Sequence, residues 1–122
     1  MNKLTIMGRL TADPDLRSTS SGKSVCQFTL AVDRPFKNAD GSRDADFVPV
    51  VIWRKLGELA AKTVFKGQRL IVDGRLQLRN YEGSDGIKRL AAECVASSFY
   101  YVEKREGGAF EGEELPFNEE EE

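Results

Sequence analysis

The side chains that could do chemistry in this sequence are aromatic rings that lie near cations. The rings are Phe36, Phe47, Trp53 and Tyr81, and the cations are Arg34, Lys37, Arg54, Lys55, Arg75 and Arg79. Rings provide stacking surfaces for bases, and cations follow phosphates, so the combination favours binding of single-stranded nucleic acid. Histidine is absent, and no nucleophile-base pair or metal-ligand spacing occurs. We therefore expect no catalytic residues, no metal and no cofactor.

Each candidate also has a purely structural interpretation. Alternation along residues 46–55 puts Phe47, Pro49, Val51 and Trp53 on one strand face and Val48, Val50 and Ile52 on the other. The face with the two rings is either core or a ligand platform. Phe36, between Arg34 and Lys37, either packs back on the body or stacks on a base. The face shared by Arg75, Gln77 and Arg79 is either a phosphate-binding surface or a solvated outer surface.

Charge is segregated along the 122 residues. Residues 1–102 carry 16 Lys and Arg against 11 Asp and Glu, a net charge of +5, whereas the remaining residues carry two cations against nine Glu, a net charge of −7. A basic body with an acidic tail suggests two kinds of partner. No apolar run approaches the length that a bilayer requires, and no signal peptide is evident, so we expect a cytoplasmic protein without membrane contacts.

The elements that must hold the rings follow from hydrophobic periodicity. Strands are predicted at residues 3–10, 25–32, 46–53, 70–78 and 87–102, with Gly8 at a bulge or bend and long loops at residues 33–41 and 80–86. A short helix is predicted from Arg54 to about Lys66, with Gly67 as its stop. Cys26 and Cys94 fall in apolar strands and should be buried free thiols. This order predicts an all-β OB-fold, a five-stranded Greek-key barrel with one helix between strands 3 and 4.

The predicted domain organisation has three parts. Residues 1–103 form the OB-fold nucleic-acid-binding domain, residues 104–112 a short flexible linker, and residues 113–122 a disordered acidic tail. The tail contains Glu113, Glu114, Leu115, Pro116 and Phe117.

Residues 1–103 resemble the bacterial single-stranded DNA-binding (SSB) family. The resemblance rests on the spacing of Asn2-Lys3, Gly8-Arg9-Leu10, Asp13-Pro14-Asp15-Leu16-Arg17, Phe28-Thr29-Leu30-Ala31-Val32, Asp46-Phe47, Trp53-Arg54-Lys55 and Gly74-Arg75-Leu76. It implies a homotetramer of OB domains in which Phe36, Phe47, Trp53 and Tyr81 stack on bases, while Lys55 and Arg79 lie along the strand. It also implies that residues 1–103 are a single-stranded DNA-binding domain and that residues 113–122 are a protein-interaction tail. In the family such a tail recruits replication and repair proteins through a final Pro-Phe, which makes Glu113, Glu114, Leu115, Pro116 and Phe117 the candidate partner-binding residues.

Two positions depart from that family pattern. Val48 stands where some relatives carry a histidine associated with tetramer contacts, and five residues follow Phe117, which therefore lacks a terminal carboxylate.

The first hypothesis is non-enzymatic binding and protection of single-stranded DNA in replication, recombination and repair, at the nucleoid. The alternative is an oligomeric OB-fold scaffold that acts mainly as a protein-interaction hub. Affinity for oligo(dT) that falls with salt would distinguish the first from the second.

Overall fold

The structure is a computed structural model that describes residues 1–102, and within them the chain forms six strands and one helix. The elements are β1 (Leu4–Leu10), β2 (Asp15–Ser18), β3 (Ser24–Asp33), β4 (Ala45–Trp53), α1 (Arg54–Thr63), β5 (Arg69–Glu82) and β6 (Lys88–Tyr101). The linker and tail predicted for residues 104–122 lie outside the described residues. No helix in the described part of the chain has the length and apolar character needed to span a membrane.

The strands close into a barrel. Neighbours follow the order β1-β5-β6-β4-β3, and β1 also pairs with β3 at Arg9↔Ala31 and Leu10↔Leu30, which closes the ring. All of these pairings are antiparallel except β4 with β6, which is parallel. Helix α1 follows the third barrel strand and precedes the fourth, so the predicted OB-fold is confirmed. β2 adds a short sixth strand to β3.

Alternate residues of the strands fill the barrel. Leu30, Val50, Ile52, Leu70 and Val72 are completely buried in one core, which helix α1 completes with Leu56 and Ala60. The faces predicted for β3 and β4 are therefore correct. Both cysteines are free and buried, as expected, and burial raises the pKa of each thiol to about 11.

Helix α1 begins at the predicted residue but ends earlier than predicted. Arg54 is its first residue, whereas it stops at Thr63 rather than near Lys66. Val64 already has extended backbone angles, and its side chain is buried in the core, so the chain leaves the helix to keep that side chain inside. Gly67 does adopt a positive φ of 86°, but in the turn that follows the helix.

The β5–β6 pairing has a register shift at Gly74, whereas the β1–β5 pairing has none at Gly8, where a bulge or bend was predicted. Pairing of β1 with β5 runs through Gly8 without a register shift, so the predicted bulge there is wrong. Gly8 instead allows close strand crossing, because a Cβ at that position would lie 2.5 Å from the carbonyl oxygen of Ala31. The register shift lies between Asp73 and Gly74, where a Cβ on Gly74 would overlap the carbonyl oxygen of Val95.

Beyond the bulge, β5 and β6 continue as a paired ribbon. β4 pairs with β6 only at Val50↔Cys94 and Val51↔Val95, whereas β5 and β6 stay paired as far as Glu82↔Lys88. We call residues 76–82 and 88–93 the β5–β6 arm. The connecting turn is tighter than the predicted loop, with the Gly83 amide donating to the Ile87 carbonyl at 3.0 Å.

Candidate nucleic-acid interface

The outer face of β4 presents the two rings that the sequence predicted there. Phe47 is 66% exposed and Trp53 is partly exposed, whereas Val50 and Ile52 on the opposite face are completely buried. Val51 shares the outer face and is buried, but it is not part of the core cluster. The ring-bearing face is therefore a surface of the barrel, which excludes the core interpretation for this side of the strand.

Strand register shows which residues flank those rings. Phe47 pairs with Ala31 of β3, whose small side chain leaves the ring accessible. Trp53 pairs with Val25, and Val25 pairs with Arg17 of β2. Because paired residues point to the same face of a sheet, Arg17 lies in the same cross-strand row as Trp53.

The other flank of the β4 surface is basic. Val51 pairs with Val95 of β6, which pairs with Arg75 of β5, so Arg75 is on the same face as the rings. Period two then brings Gln77, Arg79 and Tyr81 to that face along β5. Phe47, Trp53, Tyr81, Arg75 and Arg79 therefore share one surface, which we call the platform. Tyr81 is 43% exposed at the far end of the arm.

A buried carboxylate holds the β5 cations of the platform. Glu93, only 9% exposed, accepts a hydrogen bond of 3.1 Å from Gln77 and lies 3.5 Å from the Arg79 guanidinium. Arg75 donates to Gln77 at 3.0 Å, which continues the network. The two arginines are thus oriented by polar contacts, and each still exposes much of its surface.

The β3–β4 loop carries Phe36 and Lys37 into solvent. Phe36 is 75% exposed, so its ring does not pack back on the body, and Lys37 is also exposed. Arg34 instead makes a bidentate pair with Asp46, with its Nη2 2.8 Å from Oδ1 and its Nε 3.2 Å from Oδ2. The pairing raises the pKa of Arg34 and lowers the pKa of Asp46. Arg34 is therefore partly neutralised by a neighbouring carboxylate.

The strand-to-helix junction supplies the last two predicted cations. Arg54 and Lys55 directly follow Trp53, and both side chains are exposed. Arg54 has a backbone φ of 62°. The first helical turn contains no acidic residue that would neutralise them.

Sequence reasoning missed two arginines on this surface. Arg17 lies in β2, whose four residues are all exposed and give no alternating apolar signal. Arg89 pairs with Tyr81 on the arm and forms a 2.8 Å ion pair with Asp85.

Within residues 1–102 no cluster of three or more His, Cys, Asp or Glu is arranged to hold a metal ion. The predicted tail residues Glu113, Glu114, Leu115, Pro116 and Phe117 lie outside the described residues.

Comparison with known proteins gives one consistent family. Residues 1–102 match the profile described as "Single-strand binding protein family". The chain is 50% identical over 109 residues to "Single-stranded DNA-binding protein 3" of Listeria innocua, an alignment that covers 89% of this chain and 68% of the relative. It is 52% identical over 108 residues to "Single-stranded DNA-binding protein" of Bacillus cereus, with coverage of 88% and 64%. It thus spans about two thirds of the length of these relatives. "Single-stranded DNA-binding protein 1" of Streptococcus pyogenes is 47% identical over 109 residues, with coverage of 89% and 84%.

Proposed function

Because the chain belongs to the single-strand binding protein family, we propose that it binds and protects single-stranded DNA without strong sequence preference. The observation that carries this proposal is the platform, on which the register of β4, β6 and β5 combines exposed rings with a row of cations. The activity is non-enzymatic, and the processes served are DNA replication, recombination and repair. The corresponding location is the nucleoid in the cytoplasm.

Binding combines stacking with phosphate neutralisation. Bases stack on Phe47 and Trp53 of β4, on Tyr81 of the arm and on Phe36 of the β3–β4 loop. In single-strand binding proteins such stacking is worth about 1–3 kcal/mol per base and tolerates any base, since each has a π face. Phosphates lie along Arg75 and Arg79 on one flank and along Lys37, Arg54 and Lys55 at the ends of β4. Arg34 contributes less while Asp46 holds it.

We also propose that the protein assembles as a homotetramer. Along Leu4–Gly8, β1 has a strand partner on one side only within the described residues, so its other edge is open for pairing. The adjacent arm exposes Leu76, Leu78 and Leu90 on the side opposite the platform, at 43%, 56% and 62%. We call these three residues the leucine strip. An open strand edge and an exposed apolar strip each fit a second copy of the same chain.

The assembly proposal is tested by light scattering after size exclusion. The double variant Leu78→Glu with Leu90→Glu should lower the measured mass from four chains, because it places carboxylates in the buried contact. Phe36→Glu, which adds a carboxylate in the β3–β4 loop outside the leucine strip, is the control and should keep the wild-type mass. An unchanged mass for the leucine variant, or a monomeric wild type, would contradict the proposed interface.

Partner recruitment through Glu113–Phe117 is a further part of the proposal. An acidic segment that contains Leu115-Pro116-Phe117 would present a ring and carboxylates to a basic pocket on replication or repair proteins. Pull-down of such partners by the full chain, compared with Phe117→Ala, tests this part separately from DNA binding.

The DNA-binding proposal is tested with the intrinsic fluorescence of Trp53, the only tryptophan in the chain. Added poly(dT) should quench the emission, and the affinity should fall steeply with salt. Phe47→Ala should lower affinity by about tenfold, the equivalent of one lost stacking contact. An unchanged emission together with no shift of labelled oligo(dT) in a gel would refute the proposal.

A further inference from the structure

The backbone of Arg54 is strained. It has a φ of 62°, and the other positive φ values in the described part of the chain belong to glycines: Gly22, Gly41, Gly67 and Gly86. In this left-handed region the Cβ atom approaches the neighbouring carbonyl oxygen, so every residue with a side chain is less stable there than glycine. Position 54 is therefore one that glycine would fill with less strain.

The fold explains the turn at this position. β4 ends at Trp53 with an extended ψ of 154°, and α1 begins at the next residue without an intervening loop. The helix then packs directly on the strand, because a Cβ on Gly57 would overlap the carbonyl oxygen of Ile52. The chain must change direction within one residue, and a left-handed conformation achieves this. Folding requires that conformation but not an arginine side chain.

The Arg54 side chain has no partner in the described structure that would justify its presence. It is exposed, and its guanidinium makes no hydrogen bond or ion pair with residues 1–102. Four other arginines on or beside the platform each have a carboxylate partner: Arg17, Arg34, Arg79 and Arg89. The strain at Arg54 is therefore not offset by a contact within the described fold.

We propose that the strain at Arg54 serves binding: the left-handed turn holds its guanidinium against the backbone phosphate of the nucleotide that stacks on Trp53. This inference rests on the proposed function of the platform. A guanidinium offers paired N–H donors that match two phosphate oxygens, and the turn positions it immediately after the ring. The residue thus lowers the stability of the free protein and raises its affinity for single-stranded DNA.

Three substitutions at this position separate strain from charge. Arg54→Gly removes both, Arg54→Ala removes the guanidinium but keeps the strained φ, and Arg54→Lys keeps a cation and the strain. Lys62→Gln removes a cation from the last turn of the same helix and is the control for net charge. Each full-length variant is measured for its thermal midpoint and for oligo(dT) affinity at several salt concentrations.

Arg54→Gly should raise the Tm by about 4 °C, while Arg54→Ala should not raise it. Arg54→Gly and Arg54→Ala should each weaken binding by about tenfold. They should also flatten the slope of log affinity against log salt by about 0.7 for each subunit engaged. Arg54→Lys and Lys62→Gln should keep the wild-type slope.

Wild-type affinity and slope in Arg54→Gly, or an equal loss of slope in Lys62→Gln, would overturn the inference while leaving the platform intact. If Arg54→Gly does not raise the Tm, the claim that residue 54 is strained is wrong. Failure of the wild-type chain to bind oligo(dT) would refute the proposed function instead.

Discussion

The ion pair between Arg34 and Asp46 predicts that removal of the Asp46 charge raises the affinity for single-stranded DNA. The Asp46 carboxylate holds the guanidinium through contacts of 2.8 and 3.1 Å, and both side chains are about half exposed, at 53% and 54%. Asp46→Asn removes the competing charge without removing the cation. Exposed pairs contribute little to stability, so the fold should tolerate the change. Arg34 would then be available to a phosphate.

The size of the effect follows from counterion release. One additional neutralised phosphate steepens the slope of log affinity against log salt by about 0.7, so the gain in affinity should shrink by about 2.6-fold between about 50 and 200 mM salt. Quenching of Trp53 by oligo(dT) measures the slope for wild type and variant under identical conditions.

Glu58→Gln is the matched control for the Asp46 experiment. It changes the net charge by the same amount but frees no arginine, because Glu58 accepts a hydrogen bond from the Ser24 hydroxyl at 2.6 Å. The control should leave the slope unchanged. A lower affinity for Asp46→Asn, or an unchanged slope, would refute the interpretation and indicate that the pair instead shapes the loop for binding.

Three further predictions concern stability and reactivity. Gly74→Ala should lower the free energy of unfolding by about 1–3 kcal/mol, measured in urea, because the new Cβ would overlap the Val95 carbonyl oxygen; an unchanged midpoint would contradict the close approach at the bulge. The Lys3 ammonium and the Thr5 hydroxyl hydrogen-bond to Asp73 and lower its pKa. The contribution of Asp73 to the free energy of unfolding should therefore be complete above the unfolded pKa of about 3.9, and it should be lost as the pH falls through the lower folded value. The difference between wild type and Asp73→Asn in urea midpoint should therefore disappear on acidification. Cys26 and Cys94, whose burial raises the pKa of each thiol to about 11, should react with a disulfide reagent near pH 8 only after unfolding, and fast labelling of the native protein would contradict the core.

The sequence predicted elements wherever one face is buried. Period two identified the faces of β3 and β4, because the barrel buries alternate residues of both strands. It failed for β2 and for residues 80–82 at the end of β5, which were predicted as loop, because all of these residues are exposed and give no alternating signal. The end of α1 was placed too late, since glycine at position 67 marks the following turn rather than the helix terminus.

The candidate site was predictable in its residue types but not in its pairings. Phe47 and Trp53 follow from alternation on β4, and their exposure is now established. The partner of Arg34 lies 12 positions along the chain and that of Arg79 lies 14, separations at which no local pattern indicates contact. Arg17 and Trp53 fall in one cross-strand row only through the register of β2, β3 and β4. Their roles in binding remain predictions.

The β5–β6 arm connects the proposed assembly interface to the platform. Its two faces belong to one pair of hydrogen-bonded strands, with Arg79 on the platform side and Leu78 on the leucine strip. If a second chain covers the strip, it restricts the same backbone that carries the cations, and DNA bound on the other side restricts it equally. Assembly and DNA binding would then each favour the other by the same factor. The apparent affinity for DNA would rise with protein concentration, and oligo(dT) would stabilise the assembly against dilution.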